Sequence, residues 1–146
     1  ADCAACPVRR WCAARRAGRV GELPVRKPKK PPEEVRLVAV VATCRGAIAL
    51  SKSRGPLFTG LFGLPMTEGA GRDDARRALD EAGVSARLPL LPAGRLEHVL
   101  SHRRLAVEVW RGSAARSGVA RLVPRAELAR LGVSTLTRKC LARASQ

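Results

Sequence analysis

The 146-residue chain has no apolar run approaching the roughly 20 residues that a membrane-crossing helix needs, so it reads as soluble, with no membrane partner. Residues 1–20 are basic and cysteine-bearing and lack the apolar stretch of a secretion signal. The chain opens on Ala1-Asp2-Cys3 rather than Met, and so reads as a piece of something longer, working in a reducing compartment. Acidic residues are scarce, 12 against 28 Lys+Arg, giving a formal charge of +16. An excess of that size favours a polyanion, nucleic acid before an anionic membrane surface. Lysine is scarce too: only 5 of the 28 cations are Lys. Arginine-rich drift in a GC-rich genome gives the same bias, so charge alone does not decide the partner. The 46% of apolar residues suffices for one core and is too high for a disordered chain.

Three segments follow from composition. Residues 1–22 are cysteine- and arginine-rich, with helix formers over 9–19 and Gly21 and Pro24 as stops. Residues 23–34 are a linker, held extended by four prolines and solvated by its cations, Lys27, Lys29 and Lys30 among them. Residues 35–146 form the main domain. There, 35–42 is a near-continuous apolar strand of the kind buried on both faces. Strands are expected at 47–52, 60–66, 87–91 and 119–123, and helices at 72–82, 124–131 and 136–144. The clearest hairpin joins 95–100 to 105–110, with Leu96, His98 and Leu100 on one face and Leu105, Val107 and Val109 on another. Its tip is Ser101-His102-Arg103-Arg104. The sum is an α+β domain, a mixed sheet flanked by helices.

Cys3-x2-Cys6-x5-Cys12 is the strongest local signal, since thiolates at that spacing can converge on one metal or iron–sulfur centre. Such a centre needs four ligands, and only three stand here. Cys44 and Cys140 read as packed side chains, which sets the fourth ligand before Ala1. Iron–sulfur and zinc both remain open on spacing alone, and a basic nucleic-acid module with a zinc-bound cysteine knot is a third reading beside the two below.

The chain resembles the C-terminal part of the MutY-type adenine DNA glycosylases. Cys3, Cys6 and Cys12 fit the last three positions of that family's C-x6-C-x2-C-x5-C pattern, 60–65 resembles its Gly-Leu-aromatic-x-x-Pro strand, and His98-Val99-Leu100-Ser101-His102 resembles its H-x-F-S-H loop. The resemblance implies a [4Fe-4S] cluster, a linker and a MutT-like domain of Nudix fold. It implies base-excision repair of duplex DNA carrying 8-oxoguanine:adenine mispairs, with the catalytic helix-hairpin-helix domain outside this chain and no catalytic residue within it. A bacterial, cytoplasmic, nucleoid-associated monomer would follow. Ser101 would read the oxidised base, His98, Leu100 and His102 would shape the loop, and Arg103 and Arg104 would hold phosphates together with the linker lysines. Leu100 departs from the family's Phe.

The chemistry suits Ser101 independently. Guanine offers an N7 acceptor, whereas 8-oxoguanine offers an N7–H donor and an O8 acceptor; a hydroxyl can meet both. The rival is a Mg²⁺-dependent Nudix hydrolase of nucleoside diphosphate-linked substrates. Glu68, Arg76, Asp80, Glu81, Gly83 and Val84 match the Nudix box G-x5-E-x7-R-E-U-x-E-E-x-G-U, where U is aliphatic. Phe62 stands at its opening Gly, and Arg77 stands where the Glu after the arginine should be. A guanidinium in place of a carboxylate sets positive charge where the metal belongs. The box therefore reads as degenerate, with Asp80 and Glu81 as solvated charges facing Arg76 and Arg77.

Overall fold

The computed structural model describes residues 2–25, 31–53, 58–117 and 120–146. Lys27, Lys29 and Lys30 lie outside them. The chain divides into two compact units, Ala1–Pro31 and Pro32–Gln146.

In the first unit the Asp2 carboxylate accepts the backbone N–H groups of Ala4 and Ala5 at 3.0 and 3.2 Å. The helix expected over 9–19 shrinks to one turn, α1 (Ala13–Arg16), followed by a 3₁₀ turn at Val20–Glu22. No residue of α1 is buried. Helix formers without an apolar face to bury do not sustain a longer helix.

The second unit is built on β1 (Glu33–Cys44), β2 (Ala47–Lys52), β3 (Phe62–Gly63), β4 (Met66–Glu68), α2 (Gly71–Glu81), β5 (Val84–Val99), β6 (Arg103–Ser117), β7 (Arg121–Pro124) and α3 (Thr135–Ala144). The main sheet path runs β3-β2-β1-β6-β5, with β4 paired to β1 and β7 to β2. β1 runs parallel to β6, while the other pairings of these strands are antiparallel. This is the mixed sheet of an α+β domain.

Both faces of β1 are buried, which is why its sequence does not alternate. Val35, Leu37, Ala39 and Val41 join Leu105, Val107, Val109, Leu136 and Leu141 in one core under α3. Val38, Val40 and Ala42 join Ala75, Ala78, Leu79 and Val84 in a second core under α2. Cys140 belongs to the first core, and burial pushes its thiol up to about 12. Cys44 packs against the second.

Three expectations change. The strand expected at 60–66 splits around Pro65 into β3 on β2 and β4 on β1. The strand expected at 87–91 continues through two prolines into the hairpin as one edge strand with three register shifts; prolines are tolerated there because an edge leaves N–H positions unpaired. The helix expected at 124–131 is a 3₁₀ segment, Arg125–Arg130, with no buried residue.

Candidate nucleic-acid interface

β5 and β6 form the longest hairpin of the domain. Register sets Leu96 opposite Val107 and His98 opposite Leu105. The two apolar sets expected on different faces therefore share the α3 face of the sheet. Leu100 and Leu96 pack against that core, and Leu105 is fully buried. The turn is tighter than 101–104. The Leu100 N–H donates to the Arg103 carbonyl at 2.8 Å, and β6 already begins at Arg103. Ser101 and His102 alone form the tip, both exposed. The His102 carbonyl accepts the Glu33 N–H at 3.0 Å, which ties the tip to the start of β1. Neither tip side chain has a hydrogen-bond partner among the described residues.

The two tip arginines separate because successive strand residues face opposite ways. Arg103 is half-buried and its Nε donates to Glu33 Oε2 at 3.0 Å. It lines a cleft of about 560 Å³ together with Phe58, Phe62, Glu68, Glu81 and Thr137. Arg104 is exposed and has no ion-pair partner among the described residues. Of the pair, Arg104 is the cation open to a phosphate.

His98 supports the tip from beneath. Its ring lies 6.4 Å from the Phe58 ring, centroid to centroid, tilted by 46°. Its Nδ1 is buried without a hydrogen-bond partner. Burial, and then the charge of Lys139, lower its pKa below the ordinary value, so the neutral imidazole is favoured. A neutral ring between an aromatic and the sheet suits a structural wedge.

The box residues lie on α2 and β4. Ala75, Ala78 and Leu79 face the core, leaving the charged residues outside. Arg77 occupies the centre of this surface. Its Nη2 donates to the Glu68 carbonyl at 2.6 Å and lies 3.0 Å from Asp74 Oδ1, while its Nε is 3.7 Å from Glu81 Oε1. Arg76 pairs weakly with Asp73 at 3.8 Å rather than with Asp80. Asp80 is exposed and unpaired among the described residues. Glu68 contributes its backbone, not its carboxylate, to this cluster. Its neighbour Gly69, at φ +136°, leaves no room for a Cβ beside the Asp74 carboxylate. Asp74 Oδ2 also accepts the Ala70 N–H at 2.7 Å, and Glu108 accepts the Gly71 N–H at 2.9 Å and the Arg95 guanidinium at 2.7 Å. The Gly71 bond, foremost, and Arg95 hold Glu108 below the usual carboxylate range against its burial.

Cys3, Cys6 and Cys12 are half-buried and unbridged. Among the described residues no three His, Cys, Asp or Glu side chains gather as a metal-ligand group, these thiols included.

The NUDIX domain model matches residues 37–143. The chain belongs to the NUDIX domain family. A search of curated proteins returns no match. Among solved structures, a NUDIX hydrolase from Nitrosomonas europaea aligns with a TM-score of 0.63 at 14% identity, over 79% of this chain and 89% of that one. The C-terminal domain of mouse MUTYH, in complex with human PCNA, aligns at 0.56 and 17%, over 80% and 88%. The NUDIX domain of Shewanella oneidensis NrtR, complexed with ADP ribose, aligns at 0.59 and 12%, over 86% and 95%. Likeness at these identities speaks for the NUDIX fold and not for the activity it carries.

The divalent cation that a NUDIX box implies does not fit this helix. The Arg77 guanidinium lies between the carboxylates of Asp74 and Glu81, and no three-carboxylate group forms among the described residues. Asp74 is readable in the sequence as an acidic residue in the first turn of α2, but not as a partner of Arg77. Glu108 had no local signal, because its partners lie 13 and 37 residues away.

Proposed function

We propose that this chain is the lesion-reading part of a MutY-like adenine DNA glycosylase, recognising 8-oxoguanine opposite adenine in duplex DNA. The observation that carries the reading is the hairpin tip. An exposed hydroxyl stands at the end of two long paired strands, its flanks Leu100 and His98 anchored toward the core. The Ser101 hydroxyl accepts the N7–H of the oxidised base and donates to O8, a pairing that guanine cannot return. Arg104 meets a neighbouring phosphate, which positions the tip without reading sequence. Arg103, held by Glu33, stiffens the root of the tip. The chain contributes specificity, while removal of adenine requires a catalytic domain that these residues do not supply.

Two further observations support the reading. Arg77 stands where metal-assisted hydrolysis needs a carboxylate, and the C-terminal domain of mouse MUTYH is among the similar folds. The spacing of Cys3, Cys6 and Cys12 supports a [4Fe-4S] loop completed by a fourth thiol; an absorbance band near 400 nm in the full-length protein tests it, and a colourless zinc protein contradicts it.

The test compares binding to two duplexes that differ only in 8-oxoguanine or guanine opposite adenine. Ser101→Ala should lose the preference, while wild-type discrimination surviving in that variant overturns the role of Ser101. Pyrophosphate release from 8-oxo-dGTP with Mg²⁺ at enzymatic rates would establish the hydrolase reading instead.

A further inference from the structure

Helix α3 carries three basic residues, Arg138, Lys139 and Arg143, and no acidic one. Leu136, Thr137, Cys140 and Leu141 are its buried residues, so the 3.6-residue period turns all three cations outward, and all three are exposed. None has a carboxylate partner among the described residues; Arg143 meets only the Gln146 side-chain oxygen, at 3.3 Å. A cation in the last turn complements the helix dipole, which accounts for Arg143. It does not account for Arg138 and Lys139, which stand mid-helix.

The position of this face gives it a use. α3 packs on β5 and β6, the two strands of the reading hairpin. The Arg143 side chain lies against Gly94 so closely that a Cβ there would come within 3.0 Å of its Cδ. Arg143 also lines a cleft of about 620 Å³ with Arg36, Arg95, Glu97 and Glu108. At the other end of the stripe, the Lys139 ammonium is near enough to His98 for its charge to act on the imidazole. His98 precedes Ser101 by three residues, a span of at most about 10 Å of chain. A major groove is about 12 Å wide and 8.5 Å deep, so a tip at its floor sets phosphates of its rim at about that distance.

We propose that the outer face of α3 is a second DNA contact, in which Arg138, Lys139 and Arg143 grip the sugar–phosphate backbone bordering the groove that Ser101 enters. The proposal rests on the reading above for its partner, duplex DNA, but not for lesion preference. Its contribution is sequence-independent and salt-sensitive.

The test is the affinity of the full chain for the two duplexes, with 8-oxoguanine or guanine opposite adenine, measured by fluorescence anisotropy across a range of salt. The triple variant R138Q/K139Q/R143Q should weaken both duplexes by the same factor. Its plot of log affinity against log salt should flatten by about 0.9 for each phosphate that is no longer neutralised, roughly 2–3 in all. A control triple, R45Q/R87Q/R111Q, removes the same charge from exposed positions at the opposite end of the sheet and should keep nearly the wild-type slope. Lys139→Arg should keep it as well. An unchanged slope in the α3 triple, or an equal flattening in the control, overturns the proposal. Should the wild-type chain bind both duplexes equally while the α3 triple flattens the slope, the lesion reading fails and the α3 contact stands.

Discussion

The two long helices of the NUDIX domain handle charge in opposite ways. On α2, Asp73, Asp74 and Glu81 are matched by Arg76 and Arg77, and Arg77 also ties the helix to the backbone of β4. On α3 the cations have no ion-pair partner among the described residues, and the neighbouring hairpin ends in Ser101 and His102, whose side chains have no hydrogen-bond partner among them either. A surface whose charges neutralise one another has little left for a ligand. A surface that leaves cations and hydroxyls open can exchange water for phosphate and base edges at small cost. On the proposed reading, the helix that holds the degenerate box acts as structure, and the side bearing the hairpin tip and α3 is the one fitted to a polyanion.

The largest effect that bears on this contrast comes from the root of the hairpin. Leu105 is the first buried residue after the tip, lying between β1 and β5. Leu105→Ala should lower stability by about 2–5 kcal/mol in urea unfolding, and should weaken both duplexes because the tip loses its support. A loss well below that range would mean the hairpin is not anchored through the core. Next comes Ser101→Ala, expected to cut the preference for 8-oxoguanine by about 1–3 kcal/mol, roughly 5- to 150-fold, by analogy with other base-edge contacts. Its melting temperature should stay at the wild-type value, since the side chain is exposed and unpaired.

Smaller still is Arg77→Ala. Its ion pairs are half-exposed, so the loss should not exceed about 1 kcal/mol. It should leave DNA discrimination untouched and confer no Mg²⁺-dependent hydrolysis; a gain of either kind would break the contrast between the helices. The smallest effect is in pH. The pKa of His98 is lowered in the folded state, so the unfolded chain binds its proton first. Stability should therefore be flat above the ordinary value of 6.5 and decline as pH falls below it toward the folded-state pKa. Glu108, also lowered, should add a second decline as pH falls below 4.5, its ordinary value. Lys139→Gln should shrink the first decline and leave the second, which thermal melts across pH 3–8 would resolve.

Much of this fold was legible because it rests on local patterns. The double-faced β1 was written in an unbroken apolar run, α2 in its paired aspartates and closing Gly83, and the hairpin in its alternation. What escaped depended on distant partners. The division of 60–66 between two strands follows from which neighbour each half meets, and the continuity of β5 follows from its place at the edge. The tip residues were recognisable, but not that Arg103 turns inward to Glu33 while Arg104 stays outside, because that depends on where β6 begins. Arg77 was visible as a misfit in the box; its bond to the Glu68 carbonyl required the fold. The cationic face of α3 is legible in Arg138-Lys139-x3-Arg143, with no acid among them, because the apolar positions of the helix leave all three cations on the other side.

The most direct measurement pits the wild-type chain against two duplexes at once, identical except that one carries 8-oxoguanine and the other guanine opposite adenine. The difference between them is confined to the N7 and C8 edge. A chain that reads this edge should partition toward the oxidised duplex at any salt concentration where it binds, with the preference lost in Ser101→Ala. Equal partition at every salt concentration would contradict the claim and leave a NUDIX domain that grips DNA without reading it.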